Sequence, residues 1–134
     1  MKVASLVGRS GAGKTTAISS LIRHYRDQGL RVGAMKHTHH EINDRDEGDT
    51  SLMRQAGAHR VVLAGESEAI VFDVPARRVS FKDPQDLLAH FGDCDVVLIE
   101  GFRNVIAWPR VELASEGRRS VTDLVAILDR IWRS

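Results

Sequence analysis

Apolar positions along the chain fall into two rhythms, and these divide it into elements. Unbroken apolar runs mark buried strands: Lys2–Val7, Leu30–Met35 and above all Asp95–Glu100, where Val96-Val97-Leu98-Ile99 ends in a carboxylate. Arg60–Ala64 and Ala69–Val74 read as two more strands, spaced as a hairpin across the polar Gly65–Glu68, and Arg110–Leu113 as a further short one. Steps of three and four mark helices. In Thr15–Gln28, residues Ala17, Ile18, Leu21, Ile22 and Tyr25 share one face, and Gly29 stands where a C-terminal cap belongs. In Ser120–Trp132 the stripe is Val121, Leu124, Val125, Leu128 and Ile131 or Trp132, with Ser120 and Asp123 as a variant capping box. Thr50–Ala56 predicts a short helix ended near Gly57. Asp83-Pro84 opens another that runs to about Phe91, with Asp83 as N-cap and the proline in the first turn, where its missing N–H is not needed. Lys36–Glu47, polar and rich in His and Asp, follows neither rhythm and reads as a loop.

Strands alternating with helices predict an α/β fold with a mostly parallel sheet, in which ligands bind at the carboxyl ends of the strands. The length of 134 residues fits one domain over 1–134, long enough to bury about two-thirds of its unfolded surface. With 43% hydrophobic and 28% charged residues the chain is not of the disordered class. A net charge of +1, scattered basic residues and 5% aromatics give neither the electrostatic footprint nor the stacking platforms of a nucleic-acid binder. No apolar run approaches the roughly 18 residues of a membrane span. The run in Met1–Val7 is broken at once by Gly8-Arg9-Ser10-Gly11, too soon for a secretory signal. The single cysteine, Cys94, excludes an intrachain disulfide framework and a Cys-rich zinc module, and fits a reducing, cytoplasmic setting.

One segment changes the picture. Gly8-Arg9-Ser10-Gly11-Ala12-Gly13-Lys14-Thr15 fits G-x-x-x-x-G-K-[ST], the P-loop, between a predicted strand and a predicted helix. Glycines let consecutive backbone N–H groups converge on an oxyanion, and the helix start adds unpaired N–H groups and a positive dipole end. Lys14 supplies a mobile charge for the β- and γ-phosphates, and the Thr15 hydroxyl is a ligand for Mg2+. The fold expectation becomes a three-layer P-loop NTPase-like domain. Glu100, ending the most apolar strand, takes the Walker-B position, where an acid holds the metal directly or through water. Lys14 and Glu100 are therefore the expected catalytic pair, and Thr15 and Glu100 the expected metal ligands.

Lys36-His37-Thr38-His39-His40 follows a strand and admits three readings: a solvated loop, a loop binding phosphate or an acid, and a metal site. No cysteine and no second histidine pair completes a four-ligand zinc set. Asp44, Asp46, Glu47 and Asp49 follow closely and could bring a carboxylate to the nucleotide's metal. Arg54 and Arg103 could stabilise phosphate charge or serve as surface salt-bridge partners, and Arg9 could point at a phosphate or into solvent.

Taken in order, the P-loop Gly8–Thr16, the Lys36–His40 run, Gly48-Asp49-Thr50 with Arg54 and Ala56-Gly57-Ala58, and Asp95–Arg103 followed by Pro109-Arg110-Val111-Glu112 resemble the molybdopterin-guanine dinucleotide biosynthesis protein B family. The resemblance covers most of residues 2–112. It implies a GTP-binding protein with weak Mg2+-dependent GTPase activity, usually a homodimer. Such a protein assists a molybdopterin guanylyltransferase that joins GMP to molybdopterin. Carried over by residue, it implies phosphate contacts from Gly11, Gly13, Lys14, Thr15 and Thr16 and a magnesium contact from Glu100. The family's histidine segment falls on Lys36, His37, His39 and His40. The chain departs from the family at Asp46-Glu47-Gly48-Asp49-Thr50, one residue shorter than D-x-x-G-K-D-S, and at Arg103 and Arg110, where lysine is usual. No N/T-K-x-D motif reads guanine, so the base preference rests on the resemblance. Two rival readings remain, a small-molecule P-loop kinase and a nucleotide-dependent adaptor without useful catalysis.

Overall fold

The computed structural model describes residues 1–9, 13–45, 48–113 and 119–133. The strands are β1 (Lys2–Val7), β2 (Val32–His37), β3 (Arg60–Ala64), β4 (Glu68–Val71), β5 (Arg77–Ser80), β6 (Val96–Glu100) and β7 (Arg110–Glu112). They form one sheet in the order β5-β4-β3-β2-β6-β1-β7. β3, β2, β6, β1 and β7 run parallel, while β4 and β5 add an antiparallel edge.

The central strands are unbroken apolar runs because both of their faces are covered. In β6, Val96 and Leu98 join one core cluster, and Val97 and Ile99 the other. The first cluster packs under the helices α1 (Lys14–Asp27), α2 (Gly48–Gln55) and α3 (Val121–Arg133) through Ile18, Leu21, Ile22, Met53, Leu124 and Leu128. The second is covered by a 3-10 helix, Pro84–Phe91, and by the segment bearing Phe102 and Trp108. This is a three-layer α/β fold with a mostly parallel sheet. Phe91 lies directly over Gly33 of β2, where a Cβ would come 2.3 Å from its ring, so that position admits no side chain.

Helix ends follow their expected chemistry. Asp83 accepts a hydrogen bond from the Gln85 amide at 2.9 Å, and Ser120 accepts one from the Asp123 amide at 3.1 Å. α1 closes through the Gly29 and Leu30 amides on the Arg26 and Tyr25 carbonyls. Arg26, in the last turn of α1, also donates from Nη1 to the Ala56 carbonyl just past α2, at 2.9 Å. The Trp132 indole of α3 donates to the Val3 carbonyl at 3.0 Å.

Some boundaries differ from the apolar rhythm. β2 continues through Lys36 and His37, which the sequence places in a loop, because the parallel ladder with β3 persists to His37 opposite Ala64. β4 stops at Val71, and β5 is an additional strand whose Arg77 and Arg78 are exposed. Among the described residues, no helix is long and apolar enough to cross a membrane.

Candidate functional site

The carboxyl ends of β1, β6, β2 and β3 meet at one edge of the sheet. Register places Leu6 opposite Glu100 and Glu100 opposite Lys36. Glu100 is only 5% exposed, and each of its carboxylate oxygens lies 3.1 Å from the Thr15 hydroxyl, which donates to it from the first turn of α1. The Lys36 ammonium is 3.5 Å from Glu100 Oε2 and also pairs with Asp49 in the first turn of α2. Burial pulls the Lys36 pKa down, but these carboxylates outweigh it and hold it above the ordinary lysine value. Gly13 caps α1 in a left-handed conformation and places no side-chain hydrogen bond on the free N–H groups of the first turn. Lys14 donates from Nζ to the Gly8 carbonyl at 2.9 Å, tying the start of α1 to the residue that follows β1. A cavity of about 320 Å³ opens between Gly13–Thr16 on one side and Lys36, Asp49 and Glu100 on the other.

A larger cavity, about 590 Å³, lies beside it and shares Lys14. Its floor is shaped by the turn after β6. The Ser5 hydroxyl donates to the Gly101 carbonyl at 2.7 Å, and the Gly101 amide donates to the Leu6 carbonyl at 3.1 Å. Gly101 has φ +98°, and a Cβ there would come 3.1 Å from the Cβ of His37. The Phe102 ring then stacks on the His37 imidazole, with centroids 4.1 Å apart and planes 6° from parallel. His37 Nε2 and His39 Nδ1 both face Glu66 Oε1, at 3.3 and 2.8 Å. Burial keeps the His37 pKa below the ordinary histidine value, and the hydrogen bond with His39 holds the Glu66 carboxyl below its own. Lys82 and Arg103 add positive charge to the cavity wall.

The residues expected from sequence separate into groups. Gly13, Lys14, Thr15, Thr16, Lys36 and Glu100 converge on the smaller cavity, and Gly8, Lys14, His37, His39 and Arg103 line the larger. Arg9 is exposed. His40 turns instead to a third hollow with Thr38 and Asn43. Arg54 sits in the last turn of α2 and lines neither of the first two cavities. Ser10, Gly11, Ala12 and Asp46 lie outside the described residues. Glu66, Lys82 and Ser5 join the site without a motif to announce them, and Phe102 joins it from the Asp95–Arg103 segment. Glu66 stands two residues past the end of β3, but only the pairing of β3 with β2 brings it to this edge.

A family model described as molybdopterin guanine dinucleotide synthesis protein B matches residues 3–129. The chain belongs to that family. It is 34% identical over 102 residues to a molybdopterin-guanine dinucleotide biosynthesis adapter protein of Haemophilus influenzae, covering 73% of this chain and 55% of that one. A protein of the same description from Escherichia coli is 32% identical over 104 residues, covering 71% and 55%. The chain thus spans about half the length of the curated relatives it matches. Among solved structures, a MobB protein homolog from Bacillus stearothermophilus superposes with a TM-score of 0.52 at 24% identity, covering 95% of this chain and 70% of that one. MobB from Bacillus subtilis gives 0.50 at 24% identity, covering 94% and 73%. These likenesses support the three-layer fold of the family.

Proposed function

We propose that this chain is a cytoplasmic GTP-binding protein with weak Mg2+-dependent GTPase activity. As a homodimer, it would assist a molybdopterin guanylyltransferase in attaching GMP to molybdopterin. The observation that carries the nucleotide part is the junction of the glycine segment with α1, where Thr15 meets the buried Glu100 of the neighbouring strand. The pathway part is supported by family membership and by the adapter description of the relatives.

The donor set suits magnesium. A hydroxyl and a carboxylate are hard oxygen ligands, and Thr15 and Glu100 already bring theirs together. When bound, Mg2+ would offset phosphate charge and polarise the γ-phosphate. Lys14 would leave the Gly8 carbonyl for the phosphate oxygens, a short swing of a flexible stem. The open first turn of α1 would donate backbone N–H groups to the same anion. Asp49 and Glu100 are both engaged with Lys36, so neither is a free base for activating water, which supports slow turnover.

Equilibrium titration with GTP, ATP and GDP, with and without Mg2+, tests this reading. GTP is expected to bind more tightly than ATP and to need Mg2+ for full affinity. Lys14→Ala is expected to weaken GTP binding by at least about tenfold, the scale of one charge-assisted phosphate contact. Equal affinities for GTP and ATP would remove the guanine assignment, and an unaffected Lys14→Ala would remove the phosphate site.

The larger cavity favours a second reading, since it abuts Lys14 and carries further cations. A small molecule held there could accept a phosphoryl group. Incubation with γ-labelled nucleotide decides between the two: label recovered only as inorganic phosphate supports hydrolysis, and label on an added acceptor supports a kinase.

A further inference from the structure

His37, His39 and Glu66 line the larger cavity, apart from Thr15 and Glu100 at the smaller one. We propose that His37, His39 and Glu66 form a site for one divalent transition-metal ion of the Zn2+ type, distinct from the oxygen pair of Thr15 and Glu100.

The third ligand comes from topology. β2 and β3 are parallel neighbours with His37 opposite Ala64, so both chains leave the sheet at the same edge. His39 lies two residues beyond the end of β2, and Glu66 two residues beyond the end of β3. Backbone bonds brace both turns: the Thr38 amide donates to the Ala64 carbonyl at 2.9 Å, and the Gly65 amide to the Glu68 carbonyl at 2.8 Å. One ligand atom from each of His37, His39 and Glu66 already lies within 4.8 Å of the other two. Tetrahedral zinc bonds of about 2.0–2.2 Å put ligand atoms roughly 3.3–3.5 Å apart, so the set needs only small side-chain adjustments to close. His39 and Glu66 are free to make them, with side chains 82% and 69% exposed. His37 is the fixed member, 13% exposed and stacked on Phe102.

The donor chemistry selects the ion. Two imidazole nitrogens and one carboxylate suit Zn2+, Co2+, Ni2+ or Fe2+ and not Mg2+, which prefers oxygen. Three protein ligands also match the count of zinc sites that keep one position for an exogenous ligand. All three residues line the larger cavity, whose wall carries Lys82 and Arg103. The open position therefore takes water or an anionic group of a molecule held in that cavity.

Titrating the metal-stripped full chain with Co2+ tests the site. One equivalent is expected to bind with visible absorption of low-coordinate cobalt, to be displaced by Zn2+, and to resist millimolar Mg2+. His39→Ala and Glu66→Gln should each weaken binding by more than the roughly 10–100-fold that losing a supporting contact costs, and both positions are exposed enough to leave the fold intact. His40→Ala should leave the Co2+ affinity and spectrum unchanged. The proposal is overturned if no Co2+ binds stoichiometrically, if neither His39→Ala nor Glu66→Gln weakens binding, or if His40→Ala weakens it as much as they do. It is overturned equally if Mg2+ displaces the Co2+, which would place the ion at Thr15 and Glu100.

Discussion

Glu100 illustrates how a buried charge is kept at a sheet edge. Its carboxylate loses most of its water and regains partners in the Thr15 hydroxyl and the Lys36 ammonium. Glu100→Gln keeps the shape and removes the charge. The expected result is loss of the Mg2+-dependent part of GTP affinity, with metal-free binding little changed, read from paired titrations. Cys94 shows the opposite economy. Buried beside Phe91, its thiol is pushed up to about 11, chiefly by desolvation. The folded chain therefore holds that proton while the unfolded chain releases it nearer an ordinary thiol's pKa of about 8.5. The unfolded state then binds fewer protons, and stability should fall as pH rises from about 9 to 11. Urea midpoints across that range check the sign. At pH 8 a thiol reagent should react with Cys94 slowly in the native protein and fast in denaturant.

Among the elements, β2 is held by a contact that no apolar count reveals. Gly33→Ala would drive a methyl into the Phe91 ring, and the expected loss is about 1–3 kcal/mol of unfolding free energy, read from denaturant titration. Pairing it with Phe91→Leu should be markedly non-additive, since both changes act on one contact. β1 and β6 are legible in the sequence because burial on two faces demands unbroken apolar runs, and α1 and α3 because each presents one stripe. β5 is not legible, because it is an edge strand with two exposed arginines and little to bury. The end of β2 is hidden for a different reason. Lys36 and His37 are polar because they face the site, while their backbone still belongs to the ladder. Thr15 and Glu100 were readable from a local motif and a strand end. Glu66 was not, because its place beside His37 and His39 depends on β3 being the neighbour of β2, a long-range pairing that no local spacing encodes.

At the scale of the whole molecule, the sheet is graded from centre to edge. β1, β2 and β6 are covered on both faces, whereas β5 is largely exposed. Amide exchange should be slowest in β6, β1 and β2, approaching the rate of global unfolding, and faster by orders of magnitude in β5. Hydrogen-exchange mass spectrometry resolves that gradient. The carboxyl ends of β1, β6 and β2 carry the site, so it is expected to rest on the most slowly exchanging strands. The contact between Arg26 and the Ala56 carbonyl gives this arrangement a mechanical consequence. At their front ends, α1 and α2 are joined by the chain Thr15–Glu100–Lys36–Asp49, and at their rear ends by the arginine. The two helices are thus tied to one another at both ends, so cutting either tie leaves the other in place.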